Sequence, residues 1–147
     1  MVSDALQNLQ RIGLLDAVPF SAELQARMLR TAQSRLEDAL REGNSLETRF
    51  DCAYTAIRAV ADAALLYSGF RTSTSKPGHH QTTLQCLTHT MGVDAVTVRV
   101  LDGLRKQRNL SDYDGELITE QALRECIDQA SRLLRLAQQR WGHAAGV

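Results

Sequence analysis

Apolar residues recur along most of this chain at intervals of three and four, the spacing of one buried helix face. Leu6, Leu9, Ile12 and Leu15 mark a short amphipathic stretch over residues 3 to 16, which Pro19 interrupts. Leu24, Met28, Ala32, Leu36 and Leu40 predict a second helix, with Ser21 as its N-cap and Gly43-Asn44 at its end. The widest stripe, from about 45 to 68, holds Phe50, Ala53, Tyr54, Ile57, Val60, Ala61, Ala64 and Leu65. A capping-box-like Asn44-x-x-Glu47 opens it, and its alanines let a neighbouring helix approach closely. Arg49, Arg58 and Asp62 lie off the stripe.

Gly69 to Gly78 is polar and predicts a loop. A short helix over about 80 to 91 follows, with Leu84, Leu87 and Met91 inward and Gly92 as its stop. Asp94 can cap a helix to about Asn109, after which Leu110 to Ile118 reads as a turn, with Gly115 free to take a positive φ. Thr119 can cap the last helix, whose core side is Leu123, Ile127, Ala130, Leu134, Ala137 and Trp141; the tail from Gly142 is expected to fray. No strand-length alternating run and no internal repeat is visible. The pattern predicts an all-α fold, an antiparallel four- to five-helix bundle with a short N-terminal helical extension. It reads as one domain over residues 1–147, with the core bundle at about 21–141.

Composition adds limits. The 147 residues carry 17 basic and 17 acidic side chains, so no global field draws the protein to nucleic acid or membrane, and any contact with a polyanion is local. Cys52, Cys86 and Cys126 form no CxxC pair and fit a reduced compartment as small hydrophobes. No apolar run approaches ~18 residues and no basic-then-apolar leader is visible, so the expectation is a cytoplasmic protein with no membrane segment.

The candidate chemistry lies at the end of the stripe Val96, Val100, Leu104, Arg108, where a cation falls on the face expected to be buried. Arg105, Arg108, Asn109 and Tyr113 together offer guanidinium forks, an amide and a phenol, groups that can hold a phosphate or stack on a base. Equally, Arg108 can pair with Asp112 or Asp114 and tie down the turn, where cations also complement the helix dipole. Asp51 on the long helix can pair with Arg108 or Arg105, or belong to a solvated face. His79, His80, Cys86 and His89 lack standard metal spacing, so neither metal nor cofactor is expected. His80 can instead cap the short helix or hydrogen-bond across the bundle. Basic residues over 99 to 108 precede the acidic Asp112, Asp114, Glu116, Glu120, Glu125 and Asp128, a pattern that suits self-association or scattered solvation alike.

Four segments over about 21 to 141 together resemble the HEPN family of small helical domains. They are Arg49-Phe50-Asp51-Cys52-Ala53-Tyr54-Thr55-Ala56, Leu66-Tyr67-Ser68-Gly69-Phe70-Arg71, Gly78-His79-His80, and Leu104-Arg105-x-x-Arg108-Asn109-x-x-x-Tyr113-Asp114. The resemblance implies an antiparallel bundle, commonly a homodimer, often encoded beside a nucleotidyltransferase in toxin–antitoxin or antiviral systems. In ribonuclease members an Arg, typically followed by a polar residue, is separated from a His by four to six residues, and the pair cleaves RNA without metal across a dimer cleft. Arg108-Asn109 matches the start of that motif, but Tyr113 stands at the His position, and a phenol of pKa ~10 is a poor base at neutral pH. The resemblance therefore implies a module that binds RNA, a nucleotide or a partner protein through Arg105, Arg108, Asn109, Asp112, Tyr113, Asp51 and His80. The alternatives are a metal-independent endoribonuclease toxin, with Tyr113, His79 or His80 moving the proton, and a structural adaptor without catalysis.

Overall fold

The computed structural model describes residues 3–142, and they are mostly helical. In chain order the elements are α1 (Asp4–Arg11), β1 (Leu15–Ala17), α2 (Ala22–Ala39), α3 (Leu46–Tyr67), β2 (Phe70–Thr72), α4 (His79–Gln85), α5 (Leu87–Met91), α6 (Ala95–Asp114) and α7 (Glu120–Trp141). The tail beyond Gly142 that the sequence expects to fray, His143 included, lies outside the described residues.

Five of the helices start at a side-chain cap. Ser3, Ser21, Ser45, Asp94 and Thr119 each accept the backbone N–H three residues on, which satisfies a donor that the helix itself leaves free. Ser45, not Asn44, caps α3. Glu47 is then free to reach across, and its Oε2 accepts the Ile118 N–H at 3.2 Å, tying the approach to α7 onto the start of α3.

The helix α3 is the centre of the molecule. Ala53, Ala56, Ala61, Ala63 and Ala64 are buried on it, and α2 and α7 pack against its sides. Gln25 Nε2 donates to the Ala63 carbonyl at 3.3 Å, while Arg49 Nε donates to the Ala39 carbonyl at 2.8 Å. These bonds join the start of each helix to the end of the other, so α2 and α3 run in opposite directions. The last helix runs with α3: Cys126 reaches the Phe50 carbonyl near one end, and the Tyr67 and Trp141 rings lie 5.3 Å apart at the other.

Three elements differ from the sequence expectation. The helix α6 runs on through Asp114, where a turn from Leu110 was expected, and stops at Gly115 with φ 69°. Ser111 and two aspartates are poor helix formers, yet four residues of low propensity cost little beside an established helix. Only the left-handed glycine ends it. Second, the helix expected over 80 to 91 is broken at Cys86 into α4 and α5. Third, β1 and β2 pair antiparallel, with Leu15 opposite Thr72, Asp16 opposite Arg71 and Ala17 opposite Phe70. Three-residue strands carry too few positions to show an alternation, and their pairing is made by tertiary contact. The ribbon brings Leu6, Leu15, Leu65, Phe70 and Cys86 into a small second core, which holds the N-terminal segment onto the end of α3.

Candidate functional site

The stripe that pointed to Arg108 is buried only in part. Val96 is 62 % exposed, and the inward positions of α6 are Leu101 and Leu104. One turn beyond Leu104, Arg108 leaves the core and lies against the α3 surface. Its Nε donates to Asp51 Oδ1 at 2.9 Å and lies 3.3 Å from Asp112 Oδ2. Its guanidinium carbon stands 5.4 Å from the centre of the Tyr54 ring, within cation–π range. Burial disfavours the Arg108 charge, but the hydrogen bond and charge of Asp51, then the charge of Asp112, outweigh it and hold the guanidinium protonated.

Arg105 is built the same way. Its Nε donates to Asp102 Oδ1 at 2.8 Å, and Lys106 approaches the other oxygen of that carboxylate at 3.5 Å. In both arginines the carboxylate takes the inner nitrogen. Among the described residues neither arginine donates a hydrogen bond from its terminal nitrogens, which form the outer edge of the fork.

A third guanidinium enters from α3. Arg58 Nη1 lies 3.0 Å from His80 Nε2, so His80 accepts the hydrogen bond and its ring is neutral. Burial, then the charges of Arg58, His79, Arg108 and Arg105, push the His80 pKa down to about 4. The His79 ring packs edge-on against it at 4.4 Å between centres. His80 does not cap α4; the residue before that helix is Gly78, with a left-handed backbone.

Beneath these groups lies Tyr54, only 1 % exposed. Its hydroxyl has no hydrogen-bond partner among the described residues. Burial pushes its pKa up to about 12, although Arg108, Arg58 and Arg105 each favour the phenolate. A neutral phenol O–H is therefore kept beside three cations.

Of the residues singled out by sequence, Arg105, Arg108, Asp51, Asp112 and His80 come together where α3, α4 and α6 meet. Tyr113 does not join them: it is 82 % exposed, on the last turn of α6. Asn109 is half-buried beside Arg108. Arg58 and Tyr54, read along the chain only as an off-stripe charge and a core residue, complete the cluster together with Asp102. The one signal available was that Tyr54 and Arg58 stand four apart on the helix that also carries Asp51.

Cys86 and His89 do not converge. Cys86 is sealed in the second core, where burial pushes its thiol up to about 11, and His89 is exposed. Among the described residues no three His, Cys, Asp or Glu side chains are placed to hold a metal ion. No described helix is long and apolar enough to cross a membrane. No known family model matches this chain, and no curated protein is significantly similar to it.

Proposed function

We propose that this chain is a HEPN-like helical bundle that binds a phosphate-bearing ligand, RNA or a nucleotide, at the junction of α3, α4 and α6. The observation that carries the reading is the division of labour in Arg105 and Arg108. Each side chain is fixed by a carboxylate on its Nε, and each keeps its terminal nitrogens outside that pair. Such a fork is already oriented, so less side-chain entropy is lost when an anion arrives. Asp51, Asp102 and Asp112 lower the net field, which suits one or two phosphates rather than a long polyanion.

Binding fits these groups better than catalysis. A nuclease on this scaffold needs a group that accepts a proton near neutral pH. Tyr113 is exposed and makes no hydrogen bond among the described residues, while His80, with a pKa near 4, is a weak base. The ribonuclease reading therefore rests on an anion raising the His80 pKa, and the adaptor reading on the Arg108–Asp51 pair acting only as a strut.

In this proposal the protein acts as a homodimer. Leu110 and Tyr113 at the end of α6 and Leu117 just past it are 42 %, 82 % and 79 % exposed, apolar surface that a second copy can cover. A nucleotidyltransferase partner, a toxin–antitoxin setting and a cytoplasmic location follow only from the family resemblance and belong to the same proposal.

The test incubates the protein with a single-stranded RNA oligonucleotide, beside Arg108→Ala, and follows binding and cleavage together. Binding that weakens at least tenfold in the variant and falls with salt, without cleavage, supports the module. Cleavage lost in both Arg108→Ala and His80→Gln would establish the nuclease instead. Equal binding by wild type and variant leaves only the strut.

A further inference from the structure

A groove runs between the first half of α2, the last half of α3 and the β1–β2 ribbon. It has a volume of about 420 Å³, within the range of small-molecule sites. Its walls are Val18, Pro19, Leu24, Met28, Leu66 and Phe70. Met28 and Asp62 are shared with a smaller pocket of about 200 Å³ further along the same helix pair, so the acid sits where the two meet.

Asp62 is the unusual member. Among the described residues its carboxylate makes no hydrogen bond and no ion pair, and it is half-buried. Arg58, one turn earlier on α3, is the natural partner, but it directs Nη1 to His80 instead. Arg71, at the groove mouth, is exposed, so solvent screens its charge. A carboxylate desolvated without a partner is costly in the free protein and gains most from a ligand that brings the missing donor.

We propose that this groove is a binding site for a small apolar amine, whose body fills the space between Leu24, Met28, Leu66 and Phe70 and whose ammonium group meets Asp62. The groove is separate from the phosphate site, and Arg58 stands between them, beside Asp62 on one side and bonded to His80 on the other. Burial pushes the Asp62 carboxyl up to about 6 against the pull of Arg58 and His79, so it is ionised and ready for a cation at neutral pH. An ammonium ion supplies the donor that no protein group provides.

The probes are hexylamine, hexan-1-ol and hexanoate, titrated by calorimetry or chemical-shift perturbation at pH 7.5. The amine is expected to bind about tenfold or more tightly than the alcohol, the difference that one charge-assisted hydrogen bond makes. Asp62→Asn should bring amine and alcohol to equal affinity while leaving the alcohol unchanged. Leu24→Trp, which fills the groove but keeps Asp62, should block both. Amine affinity should fall as the pH drops below about 6. Equal binding of amine and alcohol by the wild type would mean an apolar groove only and overturn the proposal. So would tighter binding of hexanoate, a preference for amine that survives Asp62→Asn, or no binding of any probe.

Discussion

Arg108 on α6 and Asp51 on α3 stand 57 positions apart in sequence and meet at 2.9 Å. The contact ties the second half of α6 to the first turns of α3. It is also the hinge between two readings of the same side chain. A strut contributes to stability, and a ligand-holding fork need not.

A double-mutant cycle separates these roles. The side chains of Arg108 and Asp51 are 23 % and 48 % exposed, so solvent screens the pair, and their coupling should not exceed about 1 kcal/mol. Arg108→Ala should cost roughly 1–2 kcal/mol in all, because it also uncovers the Tyr54 ring. Denaturant unfolding of the two single variants and the double variant reads both quantities. A coupling above ~3 kcal/mol would make the pair chiefly structural.

Tyr54→Phe removes a buried hydroxyl that has no partner. The free protein should be unchanged or more stable by about 0.5–1 kcal/mol, because no desolvated group is left behind. Inorganic phosphate should raise the melting temperatures of wild type and variant alike, because the hydroxyl lies beneath the arginines and out of a ligand's reach. Loss of stability in the variant without phosphate would show that the hydroxyl has a partner after all.

Asp62 and His80 should give opposite slopes of stability against pH. Burial raises Asp62 to about 6, above its unfolded value of ~3.9, so between these pH values the folded state holds a proton that the unfolded chain has released. Stability from this group is greatest below ~3.9 and declines as the pH rises to about 6. Burial lowers His80 to about 4, below its unfolded value of ~6.5, so the unfolded chain binds the extra proton. Its contribution is full above ~6.5 and is lost as the pH falls through about 4.

The two slopes offset each other in the wild type over the shared window. Asp62→Asn should leave stability rising with pH, and His80→Gln should leave it falling, each by on the order of 1–2 kcal/mol after solvent screening. Urea unfolding at several pH values between 4.5 and 6.5 measures this. Identical slopes in all three proteins would mean that neither group is perturbed.

The chain by itself determined its helices and much of their inner faces. Ser21, Asp94 and Thr119 cap as read, because capping is a local bond within three residues. The apolar repeat of α7 holds, with Leu123, Ala130, Leu134, Ala137 and Trp141 buried. The Arg108 segment could also be recognised, because a cation at the end of an apolar stripe is visible in one dimension.

What surrounds Arg108 was decided only in three dimensions. Asp51 was left between Arg108 and Arg105 because both lie one helical turn apart, and either can face α3 until the helices take their crossing. The expected turn at Leu110 would have carried Asp112 and Tyr113 into a loop. The helix continues instead, so Asp112 returns to Arg108 after four residues while Tyr113 faces out. His80 meets Arg58 only because the ribbon and α4 fold back over α3. Local bonds and apolar periodicity are properties of neighbouring residues and can be read along the chain. The desolvation of Asp62, the orphaned Tyr54 hydroxyl and the three-guanidinium cluster are properties of packing, which exist only once distant segments exclude water from one another.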